Sequence, residues 1–174
     1  MRWRLFRRST EPPADARWWR DAERAAAAPS PDAIDDLRRV VERGVPPDER
    51  EQQVEMLDGL EQLLVLSAQA ELPVVFSQHR VIGSDTCHFL APVTLAGPDG
   101  VPGKLLLTSR RLVIVASGVT TRPWHGVRRL ERTGRSLLVV GAGEGLLEAR
   151  CTSFGDALAA HHLASRLHAA ARRT

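Results

Sequence analysis

The spacing of apolar residues changes once along the chain, and that change divides it. Over residues 32–72, Ile34, Leu37, Val40 and Val41 recur three and four apart, and Val54, Leu57, Leu60, Leu64 and Ala68 do the same. This is the period of an α-helix, so the two runs predict a helical hairpin. Pro31, with Ser30 or Asp32 as cap, opens the first helix; Gly44 closes it and Pro46-Pro47 makes the corner. The second helix begins near Asp48 and widens its apolar stripe at Leu63 and Leu66. Its opposite face carries Glu51, Glu55, Asp58 and Glu61, and Leu72-Pro73 ends the segment.

From Pro73 the period shortens to two, the spacing of strands. The segments VVFSQHRVI and CHFLAPVTL come first, and the turn-rich GPDGVPG follows. KLLLTS, RLVIVAS, VTTRPW, VRRLERT, SLLVVG and LLEARCT then complete about seven short strands. The last segment, FGDALAAHHLASRLHAAARR, returns to helical spacing, with a stripe centred on Leu158, Leu163 and Leu167 and filled by Ala. The predicted class is α+β: a small antiparallel barrel or sandwich capped by a C-terminal helix over 73–174, preceded by the hairpin over 32–72. Residues 1–31 supply a basic aromatic tip, a break at Pro12-Pro13 and a short Ala-rich helix whose Trp18 and Trp19 need something larger to pack on.

Composition adds a charge map. The 174 residues are 43% hydrophobic and 26% charged, a globular balance, and the net charge is +3. Residues 1–30 carry seven Arg against four acids; residues 31–71 carry four Arg against eleven acids; residues 72–174 carry twelve Arg and one Lys against six acids. The acidic middle would repel phosphates, so nucleic acid is not the expected partner. No apolar run reaches the ~18–20 residues of a membrane span. MRWRLFRRSTEPP lacks the apolar core of a secretory signal. Cys87 and Cys151 form no CxxC, and a reducing cytoplasm is the expected compartment. The preference for 23 Arg over a single Lys, with 22 Ala and no Tyr, is that of a GC-rich, bacterial genome.

The run GKLLLTSRRLVIVASGVTTRPWHGVRRLERTGRSLLVV, followed by a strand and the FGDALAAHHLASRL helix, resembles bacterial pleckstrin-homology-like domains of the GRAM type. The matching residues are Gly103, Leu107, Thr108, Arg111, Leu112, Pro123, Trp124, Val127, Phe154 and Leu158, and the resemblance covers about residues 86–170. It implies a barrel capped by a helix and a binding module without catalytic groups, for proteins or lipid head groups. Phosphoinositide-binding members gather several Lys and Arg between their first two strands. Here RVIGSDT offers Arg80 beside Asp85, and GPDGVPG offers Asp99 with Lys104 at its edge, a departure from that pattern.

Motifs for chemistry are sparse. LLVVGAGEG places Gly141 and Gly143 after a strand, but Leu146 stands at the sixth position and no helix follows, so it reads as a hairpin turn rather than a dinucleotide site. Cys87 and His88 are adjacent on a strand and point to opposite faces, which reads as a buried Cys beside a surface His. His161 and His168 lie two helical turns apart, too far to share a metal. No catalytic group, cofactor or metal is expected.

These readings predict a non-catalytic adaptor or scaffold that binds another protein through Leu57, Leu60 and Leu64 of the hairpin and through the strand edge at Arg128, Arg129 and Arg132. Packing of that leucine stripe on the chain's own barrel is the competing structural expectation. The alternative is peripheral binding to an anionic membrane surface, at the inner face of the cytoplasmic membrane, through Arg2, Trp3, Arg4, Phe6, Arg7 and Arg8 with the Arg-rich barrel face. A Cys87-dependent enzyme or redox sensor is a third, remote reading. Oligomeric state is open.

Overall fold

The computed structural model describes residues 14–46, 50–77, 79–96, 100–142 and 145–173. Helices α1 (Ala14–Ala27), α2 (Pro31–Gly44) and α3 (Glu51–Ser67) come first, and α4 (Phe154–Ala171) closes the chain. Between them run strands β1 (Cys87–Leu95), β2 (Val101–Thr108), β3 (Arg111–Val115), β4 (Val119–Pro123), β5 (Val127–Thr133), β6 (Ser136–Gly141) and β7 (Leu146–Cys151). They form one antiparallel sheet in the order β4-β3-β2-β1-β7-β6-β5. β1 joins the two halves. It pairs with β2 from Cys87↔Thr108 to Leu95↔Val101, but with β7 only over Val93–Leu95. The run from Gly141 to Gly145 joins antiparallel β6 and β7, so it serves as a hairpin connection.

Alternation along the strands sends Val93, Leu105, Leu107, Leu112, Ile114, Leu137 and Val139 into one interior. α4 plugs that interior with Ala157, Ala160, Leu163, Ala164 and Leu167. Its other side carries Phe154 and Leu158 into a second core with Trp18, Ile34, Leu37, Val41, Met56, Leu57 and Leu60 from α1, α2 and α3. The expected single stripe on α4 is therefore two faces: Leu163 and Leu167 meet the sheet, and Leu158 meets the helices. Such a helix is buried between two layers.

Local chemistry fixes the ends. Ser30 caps α2, its Oγ accepting from Ala33 N–H at 3.3 Å, and Pro31 takes the first turn. Ser153 caps α4 in the same way, accepting from Asp156 N–H at 3.0 Å while Asp156 Oδ2 accepts from Ser153 Oγ at 2.9 Å. Trp18 fixes α1 on α2 by donating its indole N–H to Leu37 O at 3.1 Å.

One predicted strand is not a strand. VVFSQHRVI crosses the outer face of β1–β3 as a strap, with a 3₁₀ turn at Arg80–Ile82. Val75, Val81 and Ile82 cover Cys87, Leu106 and Val113 there, so β2 and β3 are buried on both faces. Val75 N–H donates to Cys87 O at 2.8 Å. The alternation seen in the sequence is real, but it serves packing on a sheet rather than pairing within one.

Candidate interaction surface

Most residues carrying the family resemblance are structural. Trp124 is buried, and its indole N–H donates to Thr108 O at 2.8 Å. The Thr108 hydroxyl donates to Arg111 O at 2.8 Å and accepts from Arg111 N–H at 3.1 Å, closing the β2–β3 turn. Arg111 donates from Nε to Asp85 Oδ2 at 3.0 Å and from Nη2 to Val81 O at 3.2 Å, tying the strap to the sheet. A Cβ on Gly103 would lie 2.8 Å from Val115 O, so β2 approaches β3 too closely for a side chain there.

The sheet ends at β5, where the arginines diverge. Pairing shifts between Val127↔Gly141 and Arg129↔Val140, leaving Arg128 as the extra residue of a bulge. A strict period of two puts Arg128 on the face of Leu130 and Arg132; the bulge corrects this. Val127 and Leu130 both reach the interior, and Arg128 and Arg129 are both exposed. Arg129 Nε donates to Glu131 Oε1 at 2.7 Å. The Arg132 side chain is only 5% exposed. It donates to Gly134 O at 2.7 Å and pairs with Glu23 of α1. Arg135 pairs with Glu55 of α3 and lies 4.8 Å over the Phe154 ring. Glu55 Oε1 also accepts Phe154 N–H at 3.0 Å, at the start of α4.

The remaining candidates divide accordingly. Leu57 and Leu60 are fully enclosed in the second core and Leu64 packs against it, so the hairpin stripe is spent on α1, α2 and α4 and is no docking face. Arg132 leaves the docking set for the same reason, because its guanidinium is consumed between layers. Arg2, Trp3, Arg4, Phe6, Arg7 and Arg8 lie outside the described residues. Glu23 and Arg135, which sequence reasoning did not single out, hold the layers together; only their charge marked them.

The thiols are sheltered. Cys87 donates from Sγ to Phe89 O at 3.2 Å, and burial pushes its pKa up; burial pushes Cys151 up to about 12. Both are protonated at neutral pH, the form that is neither nucleophile nor metal ligand. His88 is not on the surface as expected. It is buried under the start of the strap, with Nδ1 2.8 Å from Pro73 O.

No family model and no curated protein matches the sequence. Among solved structures, the C-terminal domain of an unknown protein from Leishmania infantum is similar at 10% identity and a TM-score of 0.43, over 50% of this chain and 88% of that one. The linker-DH/PH domains of p115-RhoGEF are similar at 12% identity and 0.45, over 89% of this chain and 55% of that one. A structure of human RhoA in complex with the DH/PH fragment of PDZRHOGEF is similar at 10% identity and 0.43, over 90% and 53%. The chain thus spans about half the length of the two DH/PH structures. Among the described residues, seven antiparallel strands joined through β1 and plugged by the terminal helix make this an α+β protein, an architecture consistent with a pleckstrin-homology-like fold.

Proposed function

We propose that the chain is a non-catalytic binding module, an adaptor or scaffold that recognises an acidic protein partner at the β5 edge. The observation that carries this reading is the bulge that turns Arg128 and Arg129 outward together on a terminal strand. A terminal strand pairs with a neighbouring strand on one side only, and the exposed Arg128 guanidinium beside the Arg129–Glu131 pair selects a partner by charge. The resemblance to GRAM-type bacterial domains supports the same role. Its motif residues Gly103, Thr108, Arg111 and Trp124 are occupied in holding the barrel, which leaves variable edges for recognition. Affinity capture from lysate tests the reading: the wild-type chain recovers one stoichiometric partner, and R128E/R129E loses it while its thermal melt is unchanged. Equal recovery by both forms contradicts it.

A second reading is peripheral contact of residues 1–8 with anionic lipid, favoured by the interleaving of Trp3 and Phe6 with four Arg. Co-sedimentation with anionic vesicles that vanishes in ~0.5 M salt and on deleting residues 1–8 supports it; retention after the deletion contradicts it.

A further inference from the structure

The strap between α3 and β1 has two sides. Val75 faces the sheet, whereas its neighbours Val74 and Phe76 are 73% and 89% exposed. Phe76 is the most exposed large apolar side chain among the described residues. It is not carried on a loose loop. Val75 N–H donates to Cys87 O, Arg111 holds the carbonyls of Val81 and Ile82, and Asp85 anchors the far end through Arg111. Two apolar side chains are therefore held away from the protein by a fixed backbone.

Their surroundings are cationic. Val74 and Phe76 border an open depression of ≈ 480 Å³ with His79 and Arg80, and Lys104 Nζ lies 3.5 Å from His79 Nε2. Arg80 and Lys104 are exposed, and neither pairs with a carboxylate among the described residues. β1, β2, β3 and β4 contain no Asp or Glu. Residues 72–124 contain two acids, Asp85 and Asp99. The Asp85 side chain is 5% exposed and is taken by Arg111, and Asp99 lies outside the described residues. An aromatic and an aliphatic side chain projecting from a raised segment, ringed by unpaired cations, match the boundary between acyl chains and anionic head groups. A protein groove would face these cations with carboxylates; a bilayer supplies them diffusely and needs no shape complement.

We propose that the strap is a contact for an anionic membrane surface, with Phe76 and Val74 entering the interfacial layer and Arg80 and Lys104 meeting the head groups. This contact is distinct from both β5 and residues 1–8. The test is sedimentation at low salt with phosphatidylcholine vesicles containing ~30% phosphatidylserine. The wild-type chain and the chain lacking residues 1–8 bind within a few-fold of each other. V74S/F76S and R80E/K104E each bind about tenfold or more weakly, and vesicles of phosphatidylcholine alone bind none. All four side chains are exposed, so the variants keep the wild-type melt. Phe76→Trp gives an independent reading, a blue shift of the introduced indole's emission on adding the anionic vesicles. The proposal is overturned if the wild type does not sediment, if the strap variants bind as the wild type does, or if only the deletion of residues 1–8 abolishes binding. An F76W variant whose emission stays unchanged on adding the vesicles also overturns it.

Discussion

At the scale of single residues, the molecule is held by polar groups whose partners are far away in sequence. Asp85 and Arg111 are 26 residues apart, and their pairing fixes the strap over the sheet. Asp85 is buried while Arg111 is 36% exposed and keeps the Val81 and Ile82 carbonyls, so D85N is expected to lower stability by about 2 kcal/mol, read from urea unfolding. A loss under ~1 kcal/mol would mean that the latch is incidental. His161 gives a pH test. Burial first, and then the Arg132 guanidinium, lower its pKa, while a hydrogen bond to the Leu130 backbone and Glu23 of α1 act the other way; His162 beside it adds to the lowering. The folded state thus favours neutral imidazole. Its contribution is complete above the unfolded pKa of 6.5 and is lost as pH falls through the lowered folded value. The wild type should therefore lose its advantage over H161N, in melts compared between neutral pH and pH ~5. A constant difference would remove His161 from the account.

At the scale of elements, the periods of 3.6 and 2 already mark α2, α3, the seven strands and α4, and Pro31 with Ser30 marks a helix start. They do not mark α4's second face, because Ala and Gly are compatible with either neighbour. Nor do they reveal the bulge at Arg128, which depends on pairing with β6, or the strap, whose alternation looks like that of a strand. The crossing of α3 and α4 turns on glycines for which the sequence gives no reason. A Cβ on Gly59 would lie 2.9 Å from Gly155 N and 3.0 Å from its Cα. Helix propensity alone would make G59A more stable by up to ~1 kcal/mol. Packing predicts the opposite, a loss of about 1–3 kcal/mol, because backbone cannot move aside as a flexible side chain can. A stabilised G59A, by denaturant midpoint, would show that the helices separate at little cost.

At the scale of the whole molecule, the three charge zones become a statement about layers. Among the described residues, the basic barrel meets α1 through Arg132–Glu23 and the acidic hairpin through Arg135–Glu55, while Arg38–Glu61 closes within the hairpin. Because α4 belongs to both cores, helical and barrel packing should be lost together. The fluorescence of single-Trp variants keeping Trp18 or Trp124 should melt at one temperature, and two separated transitions would make the helices an independent unit. Local pairing inside leaves Arg128, and Arg129 with its Glu131 partner, exposed on β5, the edge at which we propose partner recognition. Hydrogen–deuterium exchange of the chain alone and with its captured partner tests that placement most directly. Protection gained around Val127–Arg129, with α3 unchanged, is the predicted result. Protection or opening confined to the Leu57–Leu64 face of α3, with β5 unchanged, would contradict it.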